Sequence, residues 1–134
     1  MNFGWEVQRA IYIALSNDPQ LADMVVGVYD APPQDPKYPY IVIGDDTLVD
    51  WDTDTSYGAE VTITIHVWSA YHGAKEAKEI LGRIAGILHT KELSLRDTHL
   101  VLLRREFEQV LVDVDGTTRH GVCRYRAVVT EQEG

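Results

Sequence analysis

An α+β fold, an antiparallel sheet with two main helices packed on one face in the order α-β-β-α-β-β, is predicted for this chain by three observations. Residues 3–16 and 74–88 carry apolar side chains at helical spacing. Residues 40–43 and 60–68 read as strands, the second alternating strictly. Two further long strands are joined by Asp115-Gly116, a hairpin signal, and strands joined by loops or hairpins favour antiparallel neighbours with helices on one face. The 134 residues, with neither a repeat nor a low-complexity tract, are expected to form one domain spanning 1–134.

Each element has its own signature. In the first helix Phe3, Val7, Ala10, Ile11, Ala14 and Leu15 make one stripe, and Asn17-Asp18-Pro19 ends it, because proline cannot continue the hydrogen-bond ladder. Residues 21–29 predict a helical turn running into a short strand. Residues 31–39 hold four of the five prolines and predict an extended loop. In the strand at 60–68, Val61, Ile63, Ile65 and Val67 face one way, and Thr62, Thr64, His66 and Trp68 the other. Ala77, Ile80, Leu81, Ile84, Ile87 and Leu88 form the apolar stripe of the second main helix. Gly82 and Gly86 in that helix are expected to let a sheet or a neighbouring helix approach closely. Strands follow at about 99–112 and 118–130, with Cys123, Tyr125, Ala127 and Val129 on the inward face of the last.

Composition bounds the function. Hydrophobic content of 45% and charged content of 25% are ordinary for a soluble globular chain, and no apolar run has the roughly 20 residues of a membrane-spanning helix. The start lacks the basic and apolar regions of a secretory signal. Cys123 is the only cysteine, which excludes an intrachain disulfide and fits a reducing cytoplasm. The net charge of −9 resides in the first half, where eleven acidic residues face only Arg9 and Lys37 up to position 66. Such a surface repels a duplex phosphate backbone. It can still guide a basic partner, or line a passage through which DNA slides without sticking.

The chemistry-bearing residues concentrate in two places. Asp45, Asp46, Asp50, Asp52 and Asp54 put five carboxylates within ten residues, with Trp51 among them, in what reads as a loop with little means of folding on itself. A loop of that kind is reasonable when a partner orders it, and Trp51 could supply an aromatic anchor. A calcium site is the competing reading, since Asp50, Asp52 and Asp54 occupy the first three ligand positions of an EF-hand loop. The match fails at Thr55, where glycine is needed, and at Val61, where a bidentate glutamate is needed. Trp68 sits on the polar face of its strand and reads as interface or core cover, with interface preferred.

The second place is the last hairpin. Arg104, Arg105, Arg119, Arg124 and Arg126 are interleaved there with Glu106, Glu108, Asp113 and Asp115. They read either as cross-strand ion pairs or as a contact to the acidic half of a neighbouring subunit, and head-to-tail contacts of that type can close into rings. No histidine spacing makes a zinc site, Cys123 lies on an apolar face, and no serine sits in a nucleophile-elbow context. Catalytic residues, cofactor and metal are therefore all expected to be absent, and an enzyme is not expected.

The succession Pro39-Tyr-Ile-Val-Ile-Gly44, Asp50-Trp-Asp-Thr-Asp-Thr55, Val61-Thr-Ile-Thr-Ile-His-Val-Trp-Ser69, the Ala74-Lys-Glu-Ala-Lys-Glu-Ile80 helix and the closing Asp115-Gly…His120-Gly-Val-Cys-Arg-Tyr-Arg126 strand resembles the phage tail-completion family. Its members, also called tail terminators or tail-to-head joining proteins, occur in long-tailed phages, prophages and gene transfer agents. The resemblance runs from the first helix to Val129. It implies a small α+β subunit that forms a ring, typically of six, at the head-proximal end of the tail. There it would stop tail-tube polymerisation and meet the head connector, with DNA passing through the lumen without specific binding. It also implies synthesis in the bacterial cytoplasm and incorporation into the tail of the particle, with no membrane partner. A head-completion or connector protein of the same particle, and a monomeric calcium-type binding module, are the alternative readings.

Overall fold

A computed structural model describes residues 2–131 of the chain. Helix α1 (Phe3–Ser16) starts where the Asn2 side chain accepts a hydrogen bond from the Trp5 N–H. It stops one residue before the Asp18-Pro19 pair, as expected from proline. Asp18 then caps the one-turn helix α2 (Pro19–Ala22) by accepting from the Leu21 N–H at 2.8 Å. The chain continues through β1 (Gly27–Tyr29), the proline-rich crossover at residues 30–39 with its cis Tyr38–Pro39 peptide, β2 (Tyr40–Asp50) and β3 (Gly58–Ser69). Helix α3 (Lys75–Leu88) and the hairpin of β4 (Thr98–Val112) and β5 (Arg119–Glu131) complete it.

The five strands form one sheet in the order β1-β2-β3-β5-β4. The α+β class and the packing of both main helices on one face are as the sequence predicts. One pair departs from the antiparallel rule. The crossover returns the chain in its original direction, so β1 pairs in parallel with β2, Gly27 beside Tyr40 and Tyr29 beside Val42. The sheet is therefore mixed, with this parallel pair at one edge and antiparallel pairs elsewhere.

Burial follows the alternation of β3. Val61, Ile63, Ile65 and Val67 are buried together with Cys123, Tyr125, Ala127 and Val129 of β5, beneath Val7, Ile11 and Leu15 of α1 and Ile80, Leu81, Ile84 and Leu88 of α3. Removing an isoleucine side chain from water contributes about 1.5–3 kcal/mol, so this layer is the main source of stability. Polar ties fasten the layer at its margins. Arg83 of α3 donates twice to Asp18, at 2.6 and 2.9 Å, and Glu6 of α1 accepts from the Asp97 N–H at 2.7 Å. The arginine holds the Asp18 carboxyl below its ordinary range.

The glycines of α3 do not mediate close packing. Gly82 and Gly86 lie on the exposed side of the helix, and a Cβ at Gly82 would meet nothing within 4 Å. Close approach occurs instead at Gly121 of β5, where a Cβ would lie 3.2 Å from Leu81 Cδ1 and 3.3 Å from Val67 Cβ. The two positions should respond oppositely to alanine. Gly82→Ala is expected to stabilise the protein by about 0.5–1 kcal/mol through helix propensity. Gly121→Ala is expected to destabilise it by crowding Leu81 and Val67, which must give by a few tenths of an ångström, and urea unfolding of both variants checks the contrast.

Candidate assembly surfaces

Covering one face of the sheet leaves the other open. Along β3 this open face presents Glu60, Thr62, Thr64, His66 and Trp68, and the neighbouring positions of β5 present His120, Arg124 and Arg126. At one end of it the Trp68 and His120 rings stack at 3.8 Å between centroids and 7° between planes. His66 Nδ1 lies 2.8 Å from His120 Nε2, and Asp45 Oδ2 lies 3.6 Å from His66 Nε2. Burial, and then the neighbouring His66, push the His120 pKa down, while Asp113 acts in the opposite sense. Trp68 is thus half-buried and committed to an aromatic stack within the subunit, with one flank open along the groove it shares with Pro32, Gly44 and Asp45.

The acidic segment is more ordered than its sequence suggested. Asp45, Asp46 and Asp50 belong to β2, which continues to Asp50 by pairing with residues 59–65 of β3. Thr47-Leu48-Val49 supplies strand-forming residues there, and the ladder's hydrogen bonds outweigh the cost of aligning the flanking carboxylates. A bulge between Gly44 and Asp46 makes the extension possible, with Asp45 as the extra residue at φ 51°. Asp46 and Leu48 consequently face the helix side, opposite Ile63 and Val61, near the start of α1.

Only residues 51–57 form a loop, and it folds on itself. The Trp51 N–H donates to the Gly58 carbonyl, the Thr53 N–H to the Ser56 carbonyl, and Asp52 Oδ1 accepts from the Gly58 N–H at 3.1 Å. Beyond the loop, Glu131 Oε1 accepts from the Tyr57 N–H. Asp52 therefore holds the hairpin although it is exposed, as Asp50, Trp51 and Asp54 also are. Among the described residues no group of three or more His, Cys, Asp or Glu side chains is arranged to hold a metal ion.

The five arginines of the last hairpin do not share a surface. Arg105, opposite the buried Tyr125, turns to the helix side and donates to Glu108 at 2.9 Å. Arg119 stands beside Ser69 with one guanidinium nitrogen buried and unpartnered among the described residues. Arg104, Arg124 and Arg126 share the open face. There Arg126 pairs with Glu60 at 3.0 Å, which lowers the pKa of that carboxyl, and Arg124 lies 4.6 Å above the Phe107 ring. Arg124 also lines a groove with Asp45, Asp46 and Glu106. Part of the attraction between the acidic first half and the basic second half is thus satisfied within one subunit, through Asp18–Arg83 and Glu60–Arg126.

With this geometry in view, comparison with known proteins is informative. The family model described as tail completion protein gp17 matches residues 9–130. This chain belongs to the gp17 tail-completion family. Tail completion protein gp17 of Bacillus phage SPP1 is 33% identical over 123 residues, covering 92% of this chain and 91% of that protein. A chain in the virion of a native gene transfer agent particle superposes with a TM-score of 0.87 at 27% identity, covering 94% of this chain and 96% of its own. The structure of SPP1 gp17 superposes with a TM-score of 0.67 at 30% identity, covering 98% of this chain and 94% of its own.

As a member of the tail-completion family the chain has a structural role in a phage-type tail and is not an enzyme. The His66–His120 contact was not visible in the sequence, because 53 residues separate the two histidines and only the β3–β5 register brings them opposite Val122 and Trp68.

The burial of His120, and then its contact with His66, make stability depend on pH. His120 is held below its ordinary value of 6.5, so the unfolded chain binds the proton more readily than the folded one. Its contribution is complete above that value and is lost as pH falls below it. Thermal unfolding of this tail-completion protein should show a midpoint that drops from pH 7 to pH 5. In His120→Gln the drop should be smaller, because a group that cannot titrate removes its share of the slope.

Proposed function

We propose that this chain forms a ring, typically of six subunits, at the head-proximal end of a phage-like tail. There it ends tail-tube polymerisation and joins the tail to the head connector. The observation that carries this reading is the match along nearly the whole chain to a component of an assembled gene transfer agent virion. A subunit whose two main helices cover only one face of the sheet has a second face to offer such an assembly.

The charge supports the same reading. At −9 per subunit, a closed ring carries a strongly negative field, and DNA in its lumen passes without adhering. The acidic β2–β3 hairpin lies at the end of the sheet opposite the β4–β5 turn, so the two hairpins serve different axial neighbours. In this assignment the β2–β3 hairpin contacts tube or connector through Asp50, Trp51 and Asp54, and Arg104 and Arg124 supply polar contacts on the open face.

Purified protein mixed with tail tubes should appear as caps at one tube end by negative-stain imaging, and light scattering should detect rings of about six. The pair Trp51→Ala and Asp54→Asn spares Asp52 and its bond to Gly58, and is expected to reduce capping at least tenfold without changing the unfolding midpoint. Unchanged capping would remove the β2–β3 hairpin from the contact. A protein that stays monomeric and ignores tubes defeats the ring reading itself.

A further inference from the structure

Two apolar features of the surface are complementary. The first is a groove of about 490 Å³ between α1 and β1, lined by Trp5, Arg9, Tyr12, Ile13, Val28 and Tyr29. Residues 5, 9, 12 and 13 lie on one helical stripe, distinct from the stripe of Val7, Ile11 and Leu15 that faces the core. Helix α1 therefore has two apolar faces, and the second is uncovered: Trp5 is 51% exposed, Tyr12 41% and Ile13 38%. Arg9 and Asp30 supply the charges of the groove, and Arg9 has no ion-pair partner among the described residues.

The second feature is the tip of the β4–β5 hairpin. Val112 is 58% exposed and Val114 fully so. The tip is stiff despite its exposure. Asp115 accepts from the Thr117 and Thr118 N–H groups at 2.9 and 2.8 Å and from the Thr118 hydroxyl, and Gly116 takes the left-handed φ of 77° that the turn requires. The Asp113 N–H donates to the Thr118 carbonyl across its base. A preorganised knob loses little conformational freedom on binding. Isolated apolar residues on a surface are ordinary, but a rigid pair at the apex of a turn, with an apolar groove elsewhere on the chain, is a matched set.

Register places the two features where a repeating contact needs them. Val112 pairs with Arg119 and Arg119 with Ser69, while Gly27 pairs with Tyr40 and Tyr40 with Trp68. Val28 and Tyr29 of the groove stand two and three rungs in from Ser69, at Val67 and His66, so tip and groove occupy opposite edges, β4 and β1, toward the same end of the sheet. A knob on one edge and a groove on the other can join copies head to tail, and a contact of that type closes into a ring when the rotation allows. Asp113, between the two valines, supplies the charge that Arg9 lacks.

We propose that the β4–β5 tip of one subunit seats Val112 and Val114 in the α1–β1 groove of a second copy of this chain, with Asp113 against Arg9. This contact rests on the ring reading and supplies its lateral interface. A symmetric tip-to-tip contact would give dimers, and a tip that binds the tube would act only in capping.

The test uses the full chain, with and without tail tubes. Val114→Asp should keep the wild-type unfolding midpoint, because the side chain touches nothing in the subunit, and should lower the yield of rings at least tenfold. The double variant Ile13→Cys with Val114→Cys should form, on oxidation, a covalent ladder that ends at the ring size. Cys123 is buried and does not compete. Rings of V114D at wild-type yield overturn the contact while leaving the ring reading intact. So do V114D rings that no longer cap tubes, and so do disulfide-linked dimers of V114C alone. Wild-type protein that forms no ring under any of these conditions removes both readings together.

Discussion

The one-sided burial of β3 is the constraint on which the rest of the molecule depends. Four branched apolar residues on alternate positions require a cover, and α1 and α3 provide it on one side only. The other side of the same strand must then be made of residues that tolerate water: threonines, a histidine, a glutamate and a tryptophan. Every candidate contact surface follows from this division. The covered face sets the fold's stability, and the other face carries the polar side chains of β3 and β5.

Most of the architecture was legible because it rests on periodicity. The helices at 3–16 and 74–88, the alternation of β3, and the inward set Cys123, Tyr125, Ala127 and Val129 are one-dimensional patterns, and each appears in the fold within a residue or two. What escaped depends on partners far away in the chain. The parallel β1–β2 pair is decided by the path of the proline-rich crossover, which has no periodic signature. The strand character of residues 44–50 was hidden by its carboxylates, although Thr47, Leu48 and Val49 were a local sign of it. Gly82 and Gly86 were read as packing glycines from their place in a helix, yet only their angular position could reveal that they face solvent.

The surfaces were less legible than the fold. A cluster of arginines in two adjacent strands looks like one patch, but the pleat and a bulge between Arg105 and Phe107 divide it between the two faces. The charge asymmetry between the halves suggested attraction between subunits, and Asp18–Arg83 and Glu60–Arg126 spend part of it inside one. The second stripe of α1 was present in the sequence throughout. It was masked because Trp5, Tyr12 and Ile13 interleave with the core positions, so the helix reads as generally apolar.

The bulge at Asp45 gives this hairpin one residue of slack. The extra residue lets Gly44 and Asp46 meet consecutive partners, Thr64 and Ile63, so the side chains of 46–50 keep the facing that a ladder without residue 45 would give them. Asparagine or glycine could adopt the left-handed backbone at position 45 and keep the phase. Flattening the bulge at unchanged length would turn Asp46 and Leu48 to the open face and bring Thr47 and Val49 to the helix side. Loss of residue 45 itself would leave that facing intact, as would a change of length in the 51–57 loop, where no alternation is at stake.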